Sequence, residues 1–287
     1  MMPKDEIKVA GTVSALRQAV AGWRGRGERV GLVPTMGAIH AGHLALAGAA
    51  RGQCERVVAS LFVNPKQFGP AEDFTAYPRD EAADFAAFEK AGVDLVFTPP
   101  VAEMYPPGFA TAVRVSGVSE GLDGAFRPGH FEGVATVVAK LLLQCLPDAA
   151  YFGEKDYQQL MVVRRLVRDL DIPVRIEGVP TVRETDGLAL SSRNVYLSAE
   201  ERRTAPLLYR VLCDAAARII EGGDVAGVLD QGVAVLRGAG FAVDYLELRD
   251  AVDLTPVERL AGPARLLAAA RLGRTRLIDN IAVAPPG

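Results

Sequence analysis

Apolar and polar positions alternate along the chain in two rhythms. In Thr12–Trp23, Val13, Leu16 and Val20 recur at helical spacing, and Leu44–Arg51 and Asp80–Lys90 read the same way, the latter closing on Ala91-Gly92. Between them lie short apolar runs of strand length: Arg29–Pro34, Arg56–Val63 and Asp94–Thr98. The rhythm continues with a helix over Glu132–Cys145, a strand over Ala149–Phe152, a helix over Lys155–Leu170 and a strand over Val174–Val179. In that last helix, Leu160, Val163, Val167 and Leu170 form the apolar stripe. Strands alternating with helices predict an α/β parallel sheet covered on both faces.

The rhythm changes after about Arg193. Ser198-Ala-Glu-Glu201 reads as a capping box that opens a helix running to about Ile220. A second helix is expected over Val225–Leu236, then strands over Phe241–Leu248, Ala264–Leu272 and Arg274–Ile278. This predicts a smaller α+β domain over 186–287, after a first domain over 1–185. Pro99-Pro100, Pro106-Pro107-Gly108 and Pro128-Gly129 mark loops.

The chain has 287 residues, 49% apolar and 23% charged, with a net charge of −3. That is ordinary globular composition with no basic footprint for bulk nucleic-acid binding. Its three cysteines are far apart, which argues against a disulfide framework or a cysteine zinc site. Met1–Lys8 carries Lys4, Asp5, Glu6 and Lys8, unlike a signal peptide, and no uncharged run reaches the ~18 residues of a membrane span. A soluble chain in a reducing cytoplasm is expected.

The strongest chemical signal is Val33-Pro-Thr-Met-Gly-Ala-Ile-His40-Ala-Gly-His43, between an apolar strand and an apolar helix. In a parallel sheet this junction lies at the carboxyl edge, where ligands bind. Gly37 permits an unusual backbone angle, and the first N–H groups of the helix are expected to attract phosphate. His40 and His43, three apart, can face one point, where an imidazolium could stabilise a leaving pyrophosphate. A metal pair or two surface histidines are the plainer readings; H-E-x-x-H is absent. Three weaker clusters accompany it. Leu190-Ser-Ser-Arg193-Asn194 supplies phosphate donors or an ordinary polar turn. Phe152-Gly153-Glu-Lys155-Asp156-Tyr-Gln-Gln159 supplies a cation or a capped helix start. Phe62-Val63-Asn64-Pro65-Lys66-Gln67-Phe68 supplies aromatic walls around an amide, suited to a small acid, or a loop packed by its own phenylalanines.

These strings, with Tyr77-Pro-Arg79 and Arg127-Pro-Gly-His130-Phe131, resemble in order and spacing the pantoate–β-alanine ligase family of the nucleotidylyltransferase superfamily. The resemblance is dense over Leu32–Leu197. It implies a Rossmann-like domain with a C-terminal lid, ATP as substrate with Mg²⁺, and pantoate and β-alanine as the other substrates. It also implies adenylation of pantoate followed by displacement of AMP. By the family pattern Met36, Gly37, Ala38, Ile39, His40, Ala41, Gly42 and His43 form the ATP loop, His43 being the proton donor. Lys155, Ser191, Ser192 and Arg193 would hold phosphates. Gly153 and Asp156 would border the ribose and Val182 the adenine, with Glu154 and Leu190 also among the ATP-binding residues. Gln67 and Gln159 would bind pantoate, with Phe62 and Asn64 lining that pocket, and Asp84 would be a Mg²⁺ partner. His43, His40, Lys155 and Arg193 are the expected catalytic residues. Ala41 stands where relatives carry an acidic residue. The resemblance further implies a homodimer acting on small molecules, without nucleic acid or membrane partners.

The competing readings are a nucleotidylyltransferase acting on a phosphorylated acceptor, a class I tRNA synthetase and a non-catalytic nucleotide sensor. The first would want extra cations, the second more size and basic surface, and intact His40, His43 and Lys155 oppose the third.

Overall fold

The computed structural model describes residues 7–70, 74–75 and 77–286. Lys4, Asp5 and Glu6, part of the expected amino-terminal charge pattern, lie outside them. The chain runs β1 (Lys8–Ala10), α1 (Val13–Arg24), β2 (Val30–Thr35), α2 (Ala41–Gln53), β3 (Arg56–Leu61), α3 (Glu81–Lys90) and β4 (Leu95–Phe97). There follow α4 (Val101–Met104), α5 (Leu122–Phe126), α6 (His130–Cys145), β5 (Ala149–Gly153), α7 (Tyr157–Asp169) and β6 (Arg175–Val179). The remainder is α8 (Ala199–Thr204), α9 (Leu207–Ile220), α10 (Val225–Gly238), β7 (Ala242–Asp250), β8 (Ala264–Leu272) and β9 (Thr275–Val283).

These elements form two compact units. The first takes the described chain up to Val115, then Arg127–Glu154 and Val162–Pro180. The second takes Ser116–Phe126, Lys155–Met161 and the described chain from Thr181 onward.

The first unit is built on a parallel sheet of order β1-β4-β3-β2-β5-β6. The near-continuous apolar run of β2 is what a strand buried on both faces requires. On one face Val33, Val57, Ala59, Val96 and Tyr151 pack with Leu46, Ala47 and Ala50 of α2 and Phe88 of α3. α6, apolar nearly all round, contacts α1 and β2 and is buried along most of its length. Carboxylates fasten the strands at their amino ends. Asp148 accepts from Val30 N at 2.7 Å, and Asp94 accepts from Val57 N at 2.8 Å while pairing with Arg51 and Arg56. The carboxyl edge is thereby left to the chemistry. Strand order reverses between β2 and β5, so the crevice beyond their carboxyl ends is the expected ligand site.

The second unit carries the antiparallel sheet β7-β8-β9. Leu208, Leu212 and Ile219 of α9 and Val228 and Leu236 of α10 share its core with Leu246, Leu266, Ala268 and Leu277. The α/β sheet and the small α+β unit agree with the sequence expectation.

Three local differences stand out. The single helix expected from Ser198 to Ile220 is broken into α8 and α9 at Pro206, which cannot supply the backbone N–H that a continuous helix needs. The expected capping box is nonetheless formed: Ser198 N donates to Glu201 Oε2 at 2.7 Å, and Glu201 N to Ser198 Oγ at 3.2 Å. α2 starts at Ala41 rather than Leu44, because histidine side chains cap it. β9 runs on past Ile278 to Val283, paired throughout with β8.

Candidate active site

The loop after β2 is shaped by two residues with positive φ, Gly37 at 92° and Ala38 at 52°. Gly37 has no room for a side chain: a Cβ there would lie 2.9 Å from Asp84 Oδ2 and 3.0 Å from Leu61 Cδ1. The chain then turns into α2 with His40 as its N-cap. His40 Nδ1 accepts from Gly42 N at 3.1 Å, and His43 Nδ1 accepts from His40 N at 3.4 Å, a capping box made by two imidazoles. An Nδ1 that accepts a backbone hydrogen bond carries no proton of its own. The neutral tautomer of both rings is therefore Nε2–H, and both rings offer a donor at the far nitrogen. Their centroids lie 4.1 Å apart.

The backbone N–H groups just before this helix, and one in its first turn, are taken by side chains. Ala38 N and Ile39 N donate to the two oxygens of Asp84, at 3.0 and 2.7 Å, and the N–H groups of His40 and Gly42 go to the histidine rings. Asp84, expected as a Mg²⁺ partner, is a 3% exposed carboxylate on α3 that holds the loop. Among the described residues no group of three His, Cys, Asp or Glu is placed to hold a metal.

The cluster after β3 centres on Asn64, which caps the 3-10 turn Pro65–Gln67, and on Gln67, the last residue of that turn. Asn64 Nδ2 donates to Gln67 Oε1 at 3.0 Å and to Gly133 O at 3.1 Å. Asn64 Oδ1 accepts from Tyr105 Oη at 2.7 Å and Lys66 N at 3.3 Å. Asn64, expected to line the acid pocket, is 1% exposed and has both hydrogens and both acceptor positions filled by the protein. Gln67 Nε2 donates to Met36 Sδ at 3.1 Å, which ties this cluster to the histidine loop. His130 Nδ1 bonds Gln67 O at 2.9 Å. α6 comes so close at Gly133 that a Cβ there would lie 2.3 Å from Lys66 O. Phe62 is buried, with its ring 6.2 Å from that of Tyr105. Phe68 packs on Phe74 and Tyr77.

In the second unit, Lys155 is held through its backbone. Its carbonyl accepts from Asn280 Nδ2 of β9 at 2.9 Å, and its Nζ lies 3.6 Å from Asp156 Oδ1. Asn280 is oriented by Arg265, which stacks 4.1 Å over the ring of Tyr157. Gln159 is half-buried, whereas its neighbour Gln158 spends its amide on Asp123 N and Val118 O. Val182 and Leu190 pair across a short hairpin, Leu190 N donating to Val182 O at 3.0 Å. Arg183 anchors that hairpin by a two-pronged ion pair to buried Asp279. Ser191 caps a 3-10 turn over Ser192–Tyr196, its Oγ accepting from Arg193 N at 3.3 Å. Gly153 and Glu154 lie at the end of β5 and just beyond, in the first unit.

Tyr105 was not anticipated, and neither was the bond from His130 to Gln67. An aromatic between Met104 and Pro106 in a punctuated loop was the only available sign of Tyr105.

A parallel sheet with two helix-capping histidines at its switch point defines a nucleotide-binding α/β protein of the H-x-G-H kind. The sequence model for Pantoate-beta-alanine ligase matches residues 8–282, and the chain belongs to that family. A pantothenate synthetase of Paramagnetospirillum magneticum is 61% identical over 280 residues, 97% of this chain and 99% of the relative. One of Rhodospirillum rubrum is 61% identical over 279 residues, 96% and 99% of the two chains. The crystal structure of pantothenate synthetase from Thermus thermophilus is similar with a TM-score of 0.92 and 54% identity, covering 97% of this chain and 100% of that one. A pantoate-beta-alanine ligase from Francisella tularensis, complexed with beta-gamma ATP and beta-alanine, has a TM-score of 0.82 and 32% identity over 96% and 97% of the two chains.

Proposed function

We infer that this ligase works through a pantoyl-adenylate intermediate. The enzyme is an ATP-dependent ligase that joins pantoate to β-alanine, in keeping with its family and its relatives at about 60% identity. A carboxylate is a poor acyl donor. In the first step a pantoate carboxylate oxygen bonds to the α-phosphorus of ATP as the bond to the bridging oxygen breaks, releasing pyrophosphate. In the second, the β-alanine nitrogen bonds to the acyl carbon as the bond to the AMP oxygen breaks, and the nitrogen loses a proton. Neither step needs a covalent enzyme intermediate, so positioning and charge stabilisation dominate.

The observation that supports this reading most is the pair of histidine rings at the carboxyl edge of β2, each with its Nδ1 engaged and its Nε2 as donor. His40 and His43 would bond the phosphates through Nε2, with His43 the proton donor. Lys155, Ser191, Ser192 and Arg193 would hold phosphate oxygens. Met36, Gly37, Ala38, Ile39, Ala41 and Gly42 would shape the loop, and Gly153, Glu154, Asp156, Val182 and Leu190 would border ribose and adenine. Gln67 and Gln159 would bind pantoate beside Phe62. Mg²⁺ enters this reading with ATP, on its phosphate oxygens and water. Asp84 has both oxygens on loop amides, so the residues do not fit a protein-built Mg²⁺ site and no step passes through one. The reading also includes a cytoplasmic location, in accord with three free thiols at Cys54, Cys145 and Cys213, and a homodimer, which light scattering would measure.

The test is a product assay with ATP, pantoate and β-alanine, each omitted in turn, using carboxyl-¹⁸O pantoate. AMP carrying label, formed only with all three substrates, is expected. Label in inorganic phosphate, with ADP as product, would refute the adenylate route.

A further inference from the structure

We propose that Tyr105 is a positioning residue for the acid pocket: through Asn64, its hydroxyl locks the amide of Gln67 with the NH₂ end turned away from Asn64, toward Met36 and the substrate. The proposal rests on the reading of Gln67 as a pantoate-binding residue.

The two ends of a carboxamide have nearly the same shape, so only partners of fixed polarity can tell them apart. Asn64 has two such partners. Lys66 N–H can only donate, and it lies 3.3 Å from Asn64 Oδ1. Gly133 C=O can only accept, and it lies 3.1 Å from Asn64 Nδ2. The second hydrogen of Nδ2 points to Gln67 at 3.0 Å, so the atom that receives it must be Oε1. The Tyr105 hydroxyl, 2.7 Å from Asn64 Oδ1, must then be a donor. Burial pushes its phenol up to about 12, so it keeps its proton at neutral pH. The Tyr105 ring is itself held, 5.1 Å from Phe109 and 5.2 Å from the Lys66 ammonium.

The consequence is chemical. A pantoate carboxylate accepts hydrogen bonds and cannot donate them. A glutamine locked with NH₂ forward attracts it without a fixed positive charge, and one turned the other way repels it. Removing the Tyr105 hydroxyl leaves Asn64 Oδ1 only the longer bond from Lys66, and the lock on Gln67 loosens.

The experiment compares Tyr105→Phe, Gln67→Ala, the double variant and Gln67→Glu by steady-state kinetics in each substrate. Tyr105→Phe is expected to raise KM for pantoate about 10-fold, the worth of one buried hydrogen bond. KM for ATP and kcat should stay within about two-fold. In the Gln67→Ala background, Tyr105→Phe should add nothing, because the effect passes through Gln67. Gln67→Glu puts an oxygen where the NH₂ stood and should bind pantoate worse than Gln67→Ala does. An unchanged pantoate KM in Tyr105→Phe, or a full further loss in the double variant, overturns the proposal. Equal loss of ATP and pantoate use in Tyr105→Phe would mark a merely structural role and overturn it too. Should Tyr105→Phe fold poorly, Gln67→Glu decides the amide polarity, and pantoate binding as tight as in the parent overturns it. If Gln67→Ala alone keeps normal pantoate use, the assignment of Gln67 to the acid is wrong, and this proposal falls with it.

Discussion

His43 reaches back one turn to accept the backbone N–H of His40 at 3.4 Å, while the two rings lie 4.1 Å apart. The same imidazoles that end the helix are therefore oriented by it. On the proposed reading, replacing His43 by Ala removes a donor for the leaving phosphates, worth roughly 2.7–4 kcal/mol of transition-state stabilisation. The lost cap costs about 1 kcal/mol of stability as well. Single-turnover pyrophosphate release should fall by about 10²–10³ in a folded protein, and likewise for Lys155→Ala. Near-normal release in either variant means that these roles are misassigned.

Asp84→Asn should loosen the loop without touching substrate. One carboxylate oxygen becomes an NH₂ facing the N–H of Ala38 or Ile39, which leaves a buried donor unpaired. The expected loss is about 1–3 kcal/mol in urea unfolding, with weaker ATP use beside it. A variant as stable as the parent would show that the loop holds its positive-φ turn without this carboxylate.

Gly133→Ala introduces a methyl 2.3 Å from the backbone carbonyl of Lys66, an atom that cannot swing aside. Overpacking of this kind costs roughly 1–3 kcal/mol, and here the displaced turn carries Gln67. A lower melting temperature should be accompanied by a raised KM for pantoate. A lower melting temperature with normal pantoate kinetics would separate the helix contact from the acid pocket.

Glu28 accepts hydrogen bonds from Arg56 and Arg26, and these hold its carboxyl down at about 2. Its folded value lies below the unfolded one. The stabilisation it gives is therefore fully present above the ordinary carboxylate range and is lost as pH falls from about 4.5 toward 2. Thermal unfolding of the parent should steepen its decline across that window, and Glu28→Gln should decline less. Parallel pH curves for the two proteins would exclude the Glu28 contribution.

The C-terminal lid that the family resemblance implies would include Ser191–Asn194, whose Ser191, Ser192 and Arg193 are proposed to hold phosphate, and it predicts slower hydrogen exchange across Leu188–Leu197 when ATP and pantoate are added together. Exchange that is unchanged by both ligands removes the lid role from this segment.

The elements of the sheet were legible because each strand in it needs a run of apolar side chains and each covering helix a stripe, and both are one-dimensional patterns. The β2 run from Val30 and the spacing of Leu16 and Val20 are of that kind. β1 escaped notice because three residues are too few to show a period. The H-x-G-H string stood out by its place between a strand and a helix, at the carboxyl edge where the proposed ligand loop lies. What the pattern could not carry was the use made of each polar atom. Pairing depends on atoms far apart in the chain: Asp84 meets Ala38 across 46 positions, and Asn64 meets Gly133 across 69. The family resemblance implied a metal partner in Asp84 and a pocket wall in Asn64. In the folded chain Asp84 holds a backbone turn, and Asn64 has its hydrogen bonds filled by neighbours on three different segments. Hydrophobic order follows from local periodicity, so the sequence determined it; the saturation of hydrogen bonds is set by which distant groups packing brings within about 3 Å, and only the tertiary structure decided that.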